Sequence, residues 1–171
     1  AALIILSGFF SSSETGMMAL NRYRLKHLQK QNHRGSLRAG KLLERPDRLI
    51  GLILIGNNLV NVFASVIATV IAIRLWGDSG IYAAGIILTL VILVFSEVTP
   101  KTVAALYPEK IAFPSSMILL PLMKIMYPVV ALVNYVTNGL IRILGFQTDR
   151  IADEHVSSDE LRTIVTDAGA L

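Results

Sequence analysis

Long apolar stretches dominate this chain, and polar residues interrupt them at only a few places. Three stretches of 20 residues or more are apolar enough to cross a bilayer: residues 1–20, 49–76 and 81–107. A helix rises about 1.5 Å per residue and the hydrocarbon core is about 30 Å thick, so each stretch has sufficient length to span it. The pattern predicts an all-α membrane protein with three transmembrane helices.

The first two apolar stretches are joined by a strongly basic segment. Residues 21–48 carry nine Lys or Arg against two acids, with leucines spaced as in amphipathic helices that are broken near Gly35. We expect these helices to lie along the lipid headgroups on the cytoplasmic side, a solvated charged loop being the alternative. The turn at residues 77–80 contains no Lys or Arg, which favours the outer side. This distribution predicts an N-terminus outside and a C-terminus in the cytoplasm.

A fourth apolar stretch, residues 111–146, is interrupted by Pro114, Pro121 and Pro128 and carries Lys124 near its middle. Basic residues flank it on both ends, and the positive-inside rule places both ends on the same side. We therefore expect a broken, belt-like juxtamembrane or re-entrant helix rather than a fourth crossing. Residues 1–147 would then form the transmembrane domain.

The last part of the chain is acidic. Residues 149–167 carry six acids against two arginines, and Ser157 and Glu160 have the spacing of a helix capping box. We expect residues 148–171 to form a cytosolic helical connector to a further domain that this chain does not contain.

Composition excludes several classes of protein. At 53% hydrophobic and 16% charged residues, the chain is too apolar for an ordinary soluble domain. It contains no cysteine, which excludes disulfides and thiolate metal sites. The basic segment has no interleaved aromatic residue except Tyr23, so nucleic-acid binding is not expected. No nucleophile and base pair accompanies Glu97, so we do not expect an enzyme.

Each predicted span carries one polar cluster. The clusters are Ser11, Ser13 and Glu14; Gly56, Asn57 and Asn61; and Ser96 and Glu97. A carboxylate at bilayer depth costs about 2.5–3.5 kcal/mol, so Glu97 needs a cation, a proton or a donor beside it. All these donors are oxygen atoms, which suit Mg²⁺, Ca²⁺ or Na⁺ better than zinc or copper.

Two further features bear on these clusters. Ser7, Ser11 and Thr15 repeat at four-residue intervals and form a polar stripe on the first span. Pro100 is expected to kink the third span shortly after Glu97. The alternative is structural, because Ser and Asn at such intervals commonly hold spanning helices together.

Four sequence blocks resemble the transmembrane domain of the CNNM/CorB/CorC family and occur in that family's order. They are residues 10–15 (FSSSET), 20–25 (LNRYRL), 56–61 (GNNLVN) and 96–101 (SEVTPK). The resemblance implies a homodimer in a cell membrane, the inner membrane of a bacterium, with a cytosolic regulatory region of paired CBS modules in the full-length chain.

The same resemblance implies a function. It predicts Mg²⁺ transport, with export driven by the Na⁺ gradient. The implied Mg²⁺ ligands are Ser11, Ser13, Gly56, Asn57, Asn61 and Glu97. A non-transporting Mg²⁺ sensor, or an accessory regulator of another Mg²⁺ channel, is the alternative.

Overall fold

The computed structural model describes residues 1–145, and every regular element in that range is a helix. The elements are α1 (Ala2–Met18), α2 (Arg22–Lys30), α3 (Arg34–Leu43), α4 (Pro46–Trp76), a 3₁₀ turn (Gly77–Ser79), α5 (Gly80–Val91), a π-helical segment (Ile92–Val98), α6 (Thr99–Leu106) and α7 (Pro108–Ile143). The predicted all-α membrane fold is confirmed. The predicted acidic connector, residues 148–171, lies outside the described residues. Residues 1–131 form one compact unit, and the contacts below belong to it.

Helices α4 and α5 form a hairpin. The run Pro46–Leu106 is long and apolar enough to cross a membrane, but Gly77 has a φ of +67° and turns the chain. After this turn α5 packs back against α4. The 31 residues of α4 reach about 46 Å, more than the hydrocarbon core, so this helix tilts or emerges at one end. The second arm of the hairpin continues through the π-helical segment into α6.

Helix α1 is the central helix of the bundle. It packs against α4 and also against the π-helical segment and α6. Its 17 residues reach about 26 Å, and the chain then bends by 89° into α2. The serines of its polar stripe are buried among the other helices instead of facing lipid. The polar side chains of the first span therefore meet protein.

The basic segment is helical, and its break at residues 31–33 lies near Gly35, as predicted, but not at the glycine itself. Helix α2 ends at Lys30 and α3 begins at Arg34, so Gly35 lies inside α3. Asn32 has a φ of +57°, and the Nδ1 atom of His33 accepts a hydrogen bond from the Ser36 N–H and caps α3. Gly35 has another role, because a Cβ there would lie 2.7 Å from the Cβ of Phe113. The His33 cap therefore determines where α3 begins. Gly35 is needed because α7 passes too close for a larger side chain.

Helix α7 corrects a second prediction, because it is continuous from Pro108 to Ile143 instead of broken. Pro114, Pro121 and Pro128 are seven residues apart and all exposed, so they fall on one outer side of the helix. Each proline removes one backbone hydrogen bond, but two full turns separate successive prolines and keep the remaining bonds. By length and hydropathy alone, α7 would also qualify as a span.

The contacts of α7 describe its course as far as Tyr127. A Cβ on Gly16 would touch Ile111, Arg38 Nε donates a 3.3 Å hydrogen bond to Ser116 Oγ, and the Arg48 guanidinium lies 4.9 Å above the Tyr127 ring. Gly16 is near the end of α1, Arg38 is in α3, and Arg48 is in the first turn of α4. Ile111 and Tyr127 are separated by about 24 Å of helix rise. These three contacts place this part of α7 beside α3 and beside the ends of α1 and α4 that adjoin the basic segment.

Candidate functional site

Side chains of α1 and α4 meet at Ser7. Its Oγ lies 2.8 Å from Oδ1 of Asn57 and 2.7 Å from Oδ1 of Asn61. Ser7 is buried, and the two asparagines lie one turn apart on α4 and are half-buried. Three oxygen atoms from two helices therefore converge at one point.

One of the two short oxygen–oxygen contacts of Ser7 has no proton between its atoms, although Asn61 Nδ2 also donates to Asn57 Oδ1 at 3.5 Å. The Ser7 hydroxyl carries one proton, so it donates to one amide oxygen and faces the other with a lone pair. Adjacent ligands of an octahedral Mg²⁺ with bonds of about 2.0–2.1 Å lie about 2.8–3.0 Å apart. Both Ser7 distances are close to this spacing. A cation held by the three oxygens would stabilise the contact that lacks a proton, and an amide turned to present its Nδ2 atom to Ser7 would do so without an ion.

Ser11 lies one turn along α1 from Ser7. Its side chain is fully buried, and among the described residues its Oγ has no hydrogen-bond partner. A buried polar atom without a partner costs about 1–3 kcal/mol, and a water molecule or an ion bonded to this hydroxyl would remove that cost. The stripe predicted on α1 thus presents one hydroxyl in the cluster and a second that is free to bind.

Ser13 and Gly56 have other neighbours. Ser13 Oγ donates a 2.6 Å hydrogen bond to the carbonyl of Phe9 in its own helix, which leaves only its lone pairs for a ligand. Gly56 packs against Phe10, because a Cβ there would lie 2.6 Å from the ring. This close contact sets the distance between α1 and α4 one residue before Asn57.

The third helix contacts α1 through its π-helical segment. Pro100 has no N–H, and the Thr99 N–H bonds to the Val94 carbonyl five residues back, so the turn before the proline is widened. Within this turn Ser96 Oγ donates a 3.0 Å hydrogen bond to the carbonyl of Ile4 on α1. Gly8 touches the same turn, since a Cβ there would lie 3.3 Å from the Phe95 carbonyl oxygen. Pro100, predicted to kink this helix, is the second residue of α6.

Glu97 follows Ser96 in this widened turn. It is half-buried, and it makes no ion pair or hydrogen bond with any residue that the structure describes. In the same part of the chain, no three His, Cys, Asp or Glu side chains come together to hold a metal. Any cation bound here would rely on hydroxyl and amide oxygens and a single carboxylate.

The predicted residues are therefore brought together in part. Asn57 and Asn61 meet across Ser7, and Ser11 lies on the same helix one turn away. Ser7 was missing from the predicted ligand set, although its four-residue spacing from Ser11 in the polar stripe was the signal that pointed to it.

Comparison with known proteins assigns the chain to a family. The family model described as "Cyclin M transmembrane N-terminal domain" matches residues 1–170. The chain belongs to this family. The resemblance inferred from the four sequence blocks is confirmed, and the chain is a multi-pass membrane protein.

Several bacterial proteins are similar to this chain. The chain is 56% identical over 160 residues to the UPF0053 inner membrane protein YfjD of Escherichia coli, and the match covers 94% of this chain and 37% of that protein. It is 53% identical over 166 residues to a UPF0053 protein of Haemophilus influenzae, covering 97% and 39%. A more distant relative is named a polyamine export protein in Salmonella typhimurium. It is 24% identical over 185 residues, and the match covers 99% of this chain and 40% of that protein. The chain thus spans about two fifths of the length of these three relatives.

Proposed function

We propose that this chain is the membrane-embedded part of a Mg²⁺ transporter. The observation that supports this most is the convergence of Ser7, Asn57 and Asn61 oxygens at separations close to those of adjacent Mg²⁺ ligands. Ser11 adds a buried hydroxyl without a partner in the described residues. Mg²⁺ releases its water reluctantly, so a set of neutral oxygens that replaces this water is a requirement for its passage.

Glu97 supplies the charge in this proposal. A divalent cation in a low-dielectric region needs an anionic ligand, and Glu97 has no counter-ion among the described residues. Ser13 and Gly56 remain candidate ligands through a lone pair and a carbonyl oxygen. The π-helical segment contacts α1 through Ser96, so a change in this turn would move Glu97 relative to the serine stripe and open the site to one side at a time.

Coupling, assembly and orientation belong to the same proposal. Na⁺ entry would drive Mg²⁺ export, since Na⁺ also prefers oxygen ligands. The basic end of the bundle would face the cytoplasm of a bacterial cell, with the N-terminus outside. Two copies would form the working transporter, and a cytosolic regulatory domain would follow in the full-length protein. No catalysis is proposed.

A second cargo is favoured by one finding, the relatives that are named polyamine export proteins. Polyamines carry several ammonium groups. Each can donate hydrogen bonds to hydroxyl, amide and carboxylate oxygens. The short oxygen–oxygen distances around Ser7 favour a small metal ion over an ammonium group. An ammonium nitrogen lies about 2.8 Å from each acceptor, so its acceptors do not need to be in contact with one another.

The test is transport by the purified protein in liposomes that contain a Mg²⁺ indicator. We expect Mg²⁺ flux that increases with an opposing Na⁺ gradient and is not matched by radiolabelled putrescine or spermidine. Putrescine flux without Mg²⁺ flux would assign the site to polyamines. Mg²⁺ binding without any flux would instead support the sensor or accessory role.

A further inference from the structure

Helices α2 and α3 and the beginning of α7 surround an open groove that the transport proposal does not use. It has a volume of about 400 Å³ and is lined by Leu28, His33, Glu109, Lys110, Phe113 and Pro114. Its walls are apolar, and its rim is polar. The rings of His33 and Phe113 lie 5.2 Å apart and join the two sides.

The charge around this groove is positive. Its carboxylate, Glu109, lies 2.6 Å from Arg24 Nε and is neutralised by it. Lys110 lies above the Tyr107 ring and has no carboxylate partner in the part of the chain that is described. On the two helices that bound the groove, further exposed cations without a carboxylate partner among the described residues are Arg22, Lys26 and Lys30 of α2 and Arg34 and Lys41 of α3; the exposed acids Glu44 and Asp47 follow at the far end of α3. An anion would therefore be attracted to this surface.

The groove also lies near the membrane surface. Helix α2 begins four residues after α1 ends, and α3 ends three residues before α4 begins, so the chain cannot carry these helices far from the spans. Groups at this level meet lipid headgroups and the first carbons of the acyl chains. An apolar wall with a cationic rim at this depth matches the two parts of a phospholipid, and basic residues here attract anionic lipids in particular.

We propose that this groove binds an anionic phospholipid. The glycerol and upper acyl chain lie against Leu28 and Phe113, and the phosphate meets Lys110 and the basic residues of α2. The proposal rests on charge and position alone, so it holds or fails independently of the cation that the spans carry.

The test uses thermal unfolding of the purified chain in neutral detergent with added phosphatidylglycerol or phosphatidylcholine. We expect phosphatidylglycerol to raise the midpoint by several degrees more than phosphatidylcholine, and high salt to reduce this difference. The double variant Lys30→Gln, Lys110→Gln should lose most of the difference. Arg74→Gln removes one exposed charge at the other end of α4; it is the control and should keep the difference.

Lipid retained through purification gives a second readout that does not depend on stability. Native mass spectrometry should find phosphatidylglycerol on the wild-type protein and much less on the double variant. Equal shifts from both lipids, or an unchanged phosphatidylglycerol effect in the double variant, would overturn the proposal. A full response to inorganic phosphate alone would overturn the lipid as the occupant.

Discussion

At the scale of single residues, the site depends on the contact of Ser7 on α1 with two asparagines of α4. Asn57 and Asn61 could be predicted as neighbours because four-residue spacing places them on one helix face. Their meeting with Ser7 depends on the rotation of α1 against α4, which the Phe10 ring on Gly56 fixes. Sequence spacing cannot give that rotation, and Ser11 and Ser13 therefore seemed equivalent although only Ser13 bonds to its own helix.

Ser7→Ala tests the oxygen cluster at this scale. The change removes the one atom that contacts both asparagines, and the loss of a ligand to a charged group costs about 1.5–3 kcal/mol. We expect Mg²⁺ flux in liposomes to fall about tenfold or more.

Ser12→Ala is the matched control for Ser7→Ala. Ser12 Oγ bonds only to the Phe9 carbonyl of its own helix, so this variant should transport as the wild type does. Equal flux in both variants would remove Ser7 from the site.

At the scale of helices, the three predicted apolar stretches agree with helix bounds within a few residues, but the form of the turn before Pro100, the start of α3 and the continuity of α7 depend on contacts. Pro100 indicated a disturbance after Glu97, yet its form as a widened π-helical turn depends on contacts with Ile4 and Gly8. Gly35 was an obvious breaker, but the cap by His33 decides where α3 begins. The three prolines of α7 were expected to break it, and their common exposed side explains why they do not.

Gly56→Ala tests the contact between α1 and α4. The added methyl group would lie 2.6 Å from the Phe10 ring, so the ring or a helix must move. Overpacking of this kind costs about 1–3 kcal/mol. We expect a lower unfolding midpoint in detergent together with reduced flux.

Gly85→Ala provides the comparison within a neighbouring helix. Nothing lies within 4 Å of a Cβ at that position, and alanine favours helix over glycine by up to about 1 kcal/mol. The unfolding midpoint of Gly85→Ala should equal or exceed that of the wild type. An unchanged midpoint for Gly56→Ala would show that the helices are not in close contact there.

At the scale of the whole molecule, the distribution of charge predicts both the orientation of the chain in the membrane and the course of α7. Contacts of Gly16, Arg38 and Arg48 with residues 111–127 keep this part of α7 at the basic end of the bundle. Hydropathy alone could not give this result, since α7 is as long and apolar as a span.

Single-cysteine labelling tests this arrangement without interference, because the chain has no cysteine of its own. We expect a membrane-impermeant maleimide to reach Lys30→Cys and Lys124→Cys from the cytoplasmic side only. Asp78→Cys, in the turn between α4 and α5, should react from the outer side only. Labelling of Lys124→Cys from the same side as Asp78→Cys would mean that α7 crosses the membrane.

The central claim is that Glu97 provides the charge that carries Mg²⁺ between the spans. Its most direct test is Mg²⁺ flux through liposomes containing Glu97→Gln, compared with Glu44→Gln at the exposed end of α3. The two changes remove the same charge, but only the first lies in the widened turn beside α1. We predict that Glu97→Gln abolishes flux with an unchanged unfolding midpoint while Glu44→Gln transports normally. Wild-type flux in Glu97→Gln would contradict the account.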